Sequence, residues 1–211
     1  MSNTIVFIVT QTAFGYGAII SGESTMRPMF NLSLDENQEE LPGFQGILDA
    51  YKKNVPKLSF GDMGSATNPK TNRPYRGDDF YTLIEHVVNK TGIISQERQY
   101  YNVLLLVIDG DAFDNQATID AIVEANDKPI SIIIVGVGNI NFSNCRKFDA
   151  DDEPLVHSNG KKMTRDIVQF VKYNDCASPQ EFAQQVLAEV PNQLVQYFLS
   201  QNIYPNIRTG C

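Results

Sequence analysis

Two stretches of the chain, residues 103–108 (VLLLVI) and 130–137 (ISIIIVGV), are apolar without a break and rich in Val and Ile. Continuous apolar runs of this length, rather than alternating ones, mark strands buried on both faces of a parallel sheet. Between them the apolar positions change period: Ile119, Ile122, Val123 and Ala125 fall on one face of a helix, which Asp114 or Asn115 can cap. Strand, helix, strand of this length predicts one βαβ unit. A third buried strand is predicted over 167–171, and all three should be parallel neighbours, because helical crossovers keep strands parallel.

The same pattern organises the rest. Residues 4–9 and 14–20 read as strands, and 29–34 alternates weakly enough to pair as a hairpin past Gly22. A helix is predicted over 44–55, with Phe44, Ile47, Leu48 and Tyr51 as its buried stripe and Pro56 as its stop. A short strand follows at 58–60. Residues 61–77 (GDMGSATNPKTNRPYRG) form the longest loop. A helix over 78–94 buries Phe80, Leu83, Ile84 and Val87; residues 141–163 are polar and rich in turn formers. A last helix over 179–198 carries Phe182, Val186, Leu187, Val190, Leu194 and Phe198 on one face, and Pro191 should bend or split it near Val190.

A chain of 211 residues supports one sizeable core. Its net charge of −8 argues against general binding to nucleic acid or an anionic membrane surface, and permits a cation site. Cys145, Cys176 and Cys211 are widely spaced and have no His cluster beside them, which favours reduced thiols in a cytoplasmic protein over disulfides or zinc. No apolar run approaches the roughly 20 residues of a membrane span. Residues 5–9 are too short and lack the basic flank of a secretory signal, so the three glycosylation sequons, at Asn31, Asn89 and Asn141, read as chance.

Several separated segments carry a family resemblance: AFGYGA, GFQGILDAYKKNVP, YNVLLLVIDGD, TIDAIVEANDKPISIIIVGVGNINF, RDIVQFVKY and VLAEVPNQLVQYF. In this order they resemble the von Willebrand factor A-type domain of copines, from about Ala13 to Phe198. The resemblance implies a doubly wound α/β fold, a mostly parallel sheet flanked by helices, over residues 13–199. Residues 1–12 are then a divergent leader or a degenerate first strand, and residues 200–211 a tail. In copines the A domain follows two C2-type domains that bind phospholipid in a calcium-dependent way; they are absent from this sequence, so membrane association is expected only indirectly.

Asp109 closes the first apolar run, and in open α/β sheets the ligand crevice lies outside the carboxyl ends of the strands. A plain turn or cap is the other reading of Asp109. The resemblance implies a divalent cation there, because a hard, near-octahedral ion such as Mg²⁺ wants oxygen ligands from several loops. By that resemblance Asp109 stands at the family's third-loop Asp, and Asp78 at the position of its Thr; Asp111 lies close in sequence. The first-loop Asp-x-Ser-x-Ser occurs nowhere; in Ile8-Val9-Thr10-Gln11-Thr12 two hydroxyls keep the spacing but Ile8 replaces the Asp. Either residues 4–9 are a degenerate first strand, or the sequence begins at the family's second strand. The second reading is preferred, because AFGYGA follows Thr12 with no room for a helix.

The expectation is a protein-interaction module with a partial or vestigial Mg²⁺ or Mn²⁺ site at Asp109, Asp78 and Asp111. It is not an enzyme on this reading; its protein partner is unidentified, and self-association is expected from an uncovered sheet. The alternative is a metal-dependent phosphatase. There Asp109 would be the nucleophile and Asp111 the acid/base, with Asp149, Asp151, Asp152 and Lys161 imitating that chemistry's later motifs. Their order along the chain is wrong for it, since the lysine should precede the acidic pair. Gly136-Val137-Gly138 is half of a dinucleotide fingerprint, and is better read as a strand-end turn.

Overall fold

The computed structural model describes residues 14–22, 27–31, 33–35, 37–38, 40–41, 43–59, 80–112, 115–151 and 153–206. The expected strand at 4–9 and the loop at 61–77 lie outside them. The chain divides into two compact units between Thr82 and Leu83.

In the first unit β1 (Phe14–Ile20) is the centre of a three-stranded antiparallel sheet, between β2 (Arg27–Asn31) and β3 (Leu58–Ser59). Its register with β2 runs from Phe14↔Asn31 to Ala18↔Arg27, and Ile20 faces Leu58. The hairpin leaves β1 through Gly22, whose φ of +95° is open to glycine and strained for other residues. The helix α1 (Gly43–Asn54) ends as expected at Pro56, within a single 3₁₀ turn. Ala50 of α1 and Leu41 are buried together, with Ile47 packed on them. Asn54, also buried, donates to the Ser33 carbonyl at 3.1 Å, which ties the helix end to the loop after β2.

The second unit holds the parallel sheet, in the order β4 (Asn102–Ile108), β5 (Ile130–Gly136), β6 (Val168–Lys172). Leu104 faces Ile132, and Ile134 faces Phe170. The three predicted strands are thus parallel neighbours, and β5, mostly Ile and Val, is buried along its whole length. β4 is different: Leu106 and Ile108 are buried, whereas Val103, Leu105 and Val107 on its other face are exposed.

Helix α3 (Asn115–Ala125) makes the crossover, burying Ile119, Ile122, Val123 and Ala125 as predicted. Helix α2 (Tyr81–Lys90) is shorter than the sequence pattern suggests. A short helix, α4 (Ser143–Phe148), buries Cys145 and Phe148 inside the polar stretch after β5. The last predicted helix is split, into α5 (Pro179–Val186) and α6 (Val190–Ser200). Pro191 sits in the first turn of α6, where its missing N–H costs nothing.

Buried polar groups lock α6 to the sheet. The Ser131 hydroxyl of β5 donates to Gln193 at 2.6 Å, and Tyr101 donates to the Ile130 carbonyl at 2.9 Å. Tyr101 meets the Tyr197 ring edge-on at 6.0 Å. The Arg165 guanidinium lies 5.2 Å from the Tyr197 ring and donates to the carbonyls of Asn126 and Lys128. Among the described residues no helix is long and apolar enough to cross a membrane.

Candidate functional site

Two of the residues singled out in the sequence, Asp109 and Asp111, lie at the carboxyl end of β4. Asp109 is the first residue beyond the strand, and its side chain is exposed. Asp111 is half-buried and turned toward α4. Its carboxylate accepts from the Asn144 amide at 3.0 Å, the Cys145 amide at 3.1 Å and the Ser143 hydroxyl at 3.1 Å. Asp78 lies outside the described residues.

The partners of Asp111 are the orphan donors that open a helix. The residue before α4, Phe142, is in the left-handed region (φ 50°) and offers no side-chain cap. Asp111, from another segment, does that work, placing negative charge at the positive end of the helix. Partial burial pushes its carboxyl up, but the amides of Asn144 and Cys145 and the Ser143 hydroxyl outweigh burial and hold it below the usual range. Asp111 therefore anchors the loop that carries Asp109. The described residues leave Asp109 as the exposed carboxylate at this end of β4, a donor set that suits an ion held mainly by water.

The phosphatase-like residues do not gather here. Lys161 pairs with Asp127 of the α3–β5 turn at 2.7 Å. Asp149 accepts from the Phe170 amide of β6 at 2.8 Å.

A second acidic group was not anticipated as a site. Carboxylate oxygens of Asp151, Asp166 and Glu189 lie within 4.8 Å of one another, close enough for one metal ion to reach all three. Asp151 follows α4, Asp166 precedes β6, and Glu189 precedes α6, so only the fold brings them together. Burial pushes Glu189 up to about 7, with the charges of Asp166 and Asp151 adding to it. Burial likewise raises Asp166, which accepts from the Val168 amide at 3.0 Å. The nearby Asp149 is pushed up to about 7 by burial, against the Phe170 amide that favours its charge. No lysine, arginine or histidine among the described residues forms an ion pair with any of these four acids. The only hint in the sequence was Asp149-Ala150-Asp151 ahead of the last strand.

Comparison with known proteins bears on the chain as a whole. The family model for copines matches residues 9–206. Copine-D of Dictyostelium discoideum is 36% identical over 194 residues, which is 91% of this chain and 34% of copine-D. Copine-A of the same organism is 34% identical over 196 residues, 92% of this chain and 30% of copine-A. Copine-E is 38% identical over 173 residues, 80% of this chain and 27% of copine-E. The chain thus spans about a third of the length of these curated relatives.

Proposed function

The chain belongs to the copine family, and on that premise we propose that it is a cytoplasmic protein-interaction module whose contact surface includes the carboxyl end of β4. In this reading Asp109 offers a carboxylate to a weakly held Mg²⁺ or Mn²⁺. A partner's own acid completes the shell in place of a water. The observation that supports it most is the pair of roles at β4: Asp111 fixed by α4, Asp109 two residues earlier left exposed. A nucleophile would need an acid/base at hand, and Asp111, the nearest carboxylate in sequence, is engaged by α4.

Two measurements on the intact chain test this. A photo-crosslinking residue in place of Asp109 should give defined protein adducts in cell extract that the same residue in place of exposed Glu153 does not. Turnover of p-nitrophenyl phosphate with Mg²⁺ should stay at the level of Asp109→Ala. Turnover that Asp109→Ala abolishes would restore the phosphatase alternative.

A further inference from the structure

A cleft of about 500 Å³ opens at the carboxyl ends of β5 and β6, lined by Asn139 on one side and by Tyr173, Asn174 and residues 176–179 on the other. That volume is within the range of ligand sites, and the position is where open α/β sheets place their ligands. None of the residues lining it carries a charge.

Its walls present a definite pattern of donors and acceptors. The Asn174 amide donates to the Asn139 side-chain oxygen at 2.9 Å. This leaves Asn139 with N–H donors and Asn174 with a carbonyl acceptor, side by side. Turning both carboxamides over leaves the same complement. An adjacent donor and acceptor match the C=O and N–H of a secondary amide. A carboxylate would satisfy the donor alone, and an ammonium the acceptor alone.

Anions are disfavoured on a second count. The start of α5 is closed on itself: Glu181 donates its amide to the Ser178 hydroxyl at 3.1 Å, and its carboxylate accepts from the Ala177 amide at 2.8 Å. This reciprocal capping uses the donors an anion would need and sets a negative charge beside them. The Cys176 thiol is pushed up by burial and by the charges of Glu181 and Asp175, so it stays neutral and is a poor nucleophile. The remaining wall is aromatic. Tyr173 is 49% exposed as a residue, and its ring is held edge-on by Phe182 at 5.1 Å, which presets its orientation.

We propose that this cleft binds a neutral, extended peptide segment of a protein partner, its backbone amide held by Asn139 and Asn174 and a neighbouring apolar side chain laid on Tyr173. The proposal rests on the interaction-module reading and names the chemistry of one contact. It is separate from Asp109 and needs no metal.

Random heptapeptides displayed on phage are selected on the intact chain in EDTA, and enriched peptides are measured by fluorescence polarisation. The expected result is enrichment of uncharged sequences. Their binding should weaken at least tenfold in Asn139→Ala and in Asn174→Ala, both surface changes, and stay within twofold in Glu153→Ala, an exposed position away from the cleft. Enriched peptides that bind both asparagine variants as tightly as the parent would overturn the cleft and leave the interaction module standing. So would binding lost only in Asp109→Ala, or enrichment confined to acidic sequences. Absence of any enrichment overturns the cleft as well, whereas the module reading itself falls to phosphomonoester turnover.

Discussion

The Phe142 ring lies on the backbone of Gly136, so close that a Cβ at Gly136 would sit 2.9 Å from its ring carbons. Gly136 closes β5, and Phe142 is wholly buried just before α4. Phe142 holds a left-handed φ of 50°, which a bulky residue adopts only when its surroundings compel it. Phe142 also meets Phe170 of β6 at 5.7 Å. Gly136→Ala should therefore force the ring away and cost about 1–3 kcal/mol. For a chain of this size that lowers the melting temperature by roughly 2–10 °C, read by calorimetry. An unchanged melting temperature would mean that the ring has room to move.

Asp111→Ala should remove the cap of α4 and cost about 1 kcal/mol. Amide exchange at Asn144 and Cys145 should quicken, while Asp111→Ser keeps part of the protection. The sign with pH follows from the direction of the shift. Because the carboxyl of Asp111 is held below its ordinary value, its contribution is present above that value and is lost as pH falls through the folded one. Chemical denaturation at pH 6 and pH 3 should show the difference between parent and variant shrinking at the lower pH.

The acids around β6 act in the opposite direction. Asp149 and Glu189 titrate at about 7, above their ordinary values of 3.8 and 4.5. The folded chain thus binds protons that the unfolded chain has already released. The stability they contribute is fully present below about pH 4 and is lost as pH rises through about 7. The chain should melt higher at pH 5.5 than at pH 8.5, with EDTA present. Glu189→Gln should flatten that slope by an amount on the order of 1 kcal/mol after solvent screening is allowed for. An identical slope in parent and variant would show that Glu189 does not titrate with its neighbours.

Calorimetric titration with Mg²⁺ and Mn²⁺ addresses the carboxyl end of β4. With most of the shell left to water, the dissociation constant should be on the order of millimolar, about 4 kcal/mol of binding free energy. Roughly 1 mM Mg²⁺ should then stabilise the fold by only about 0.4 kcal/mol. Asp109→Ala should leave the metal-free melting temperature unchanged or slightly raised. Micromolar binding that disappears in the variant would reveal a far more complete ligand set.

The strands β4, β5 and β6 were legible because short apolar runs rich in Val and Ile, bounded by polar turn residues, mark strands of a parallel sheet, although only β5 is buried along its whole length and one face of β4 is exposed. The split between α5 and α6 was legible too, since proline acts locally: Pro191 is confined to a first turn wherever it stands. The helix α4 was not legible. Its two buried residues, Cys145 and Phe148, are isolated apolar positions in a polar stretch, and its cap comes from Asp111, far back in the chain. The bridge between Val156 and Lys162 was hidden in the same stretch. It is held by contacts with α3, where Ser158 donates to Asp120 at 2.6 Å. Asp109 was placed correctly at a strand end by pattern alone. The gathering of Asp151, Asp166 and Glu189 depends on three connections that no local spacing records.

The Asp149 carboxylate on the Phe170 amide has a bearing on how this chain behaves in company. Among the described residues β6 is an outer strand of its sheet, and an outer strand is a template on which foreign strands recruit themselves. Asp149 occupies the middle rung of that template with a group that cannot be extended into a further strand. A visiting segment would have to displace the half-buried Asp149 side chain to reach the Phe170 amide. The side chain thus acts as a stopper at the centre of that flank, where the Phe170 amide is already engaged.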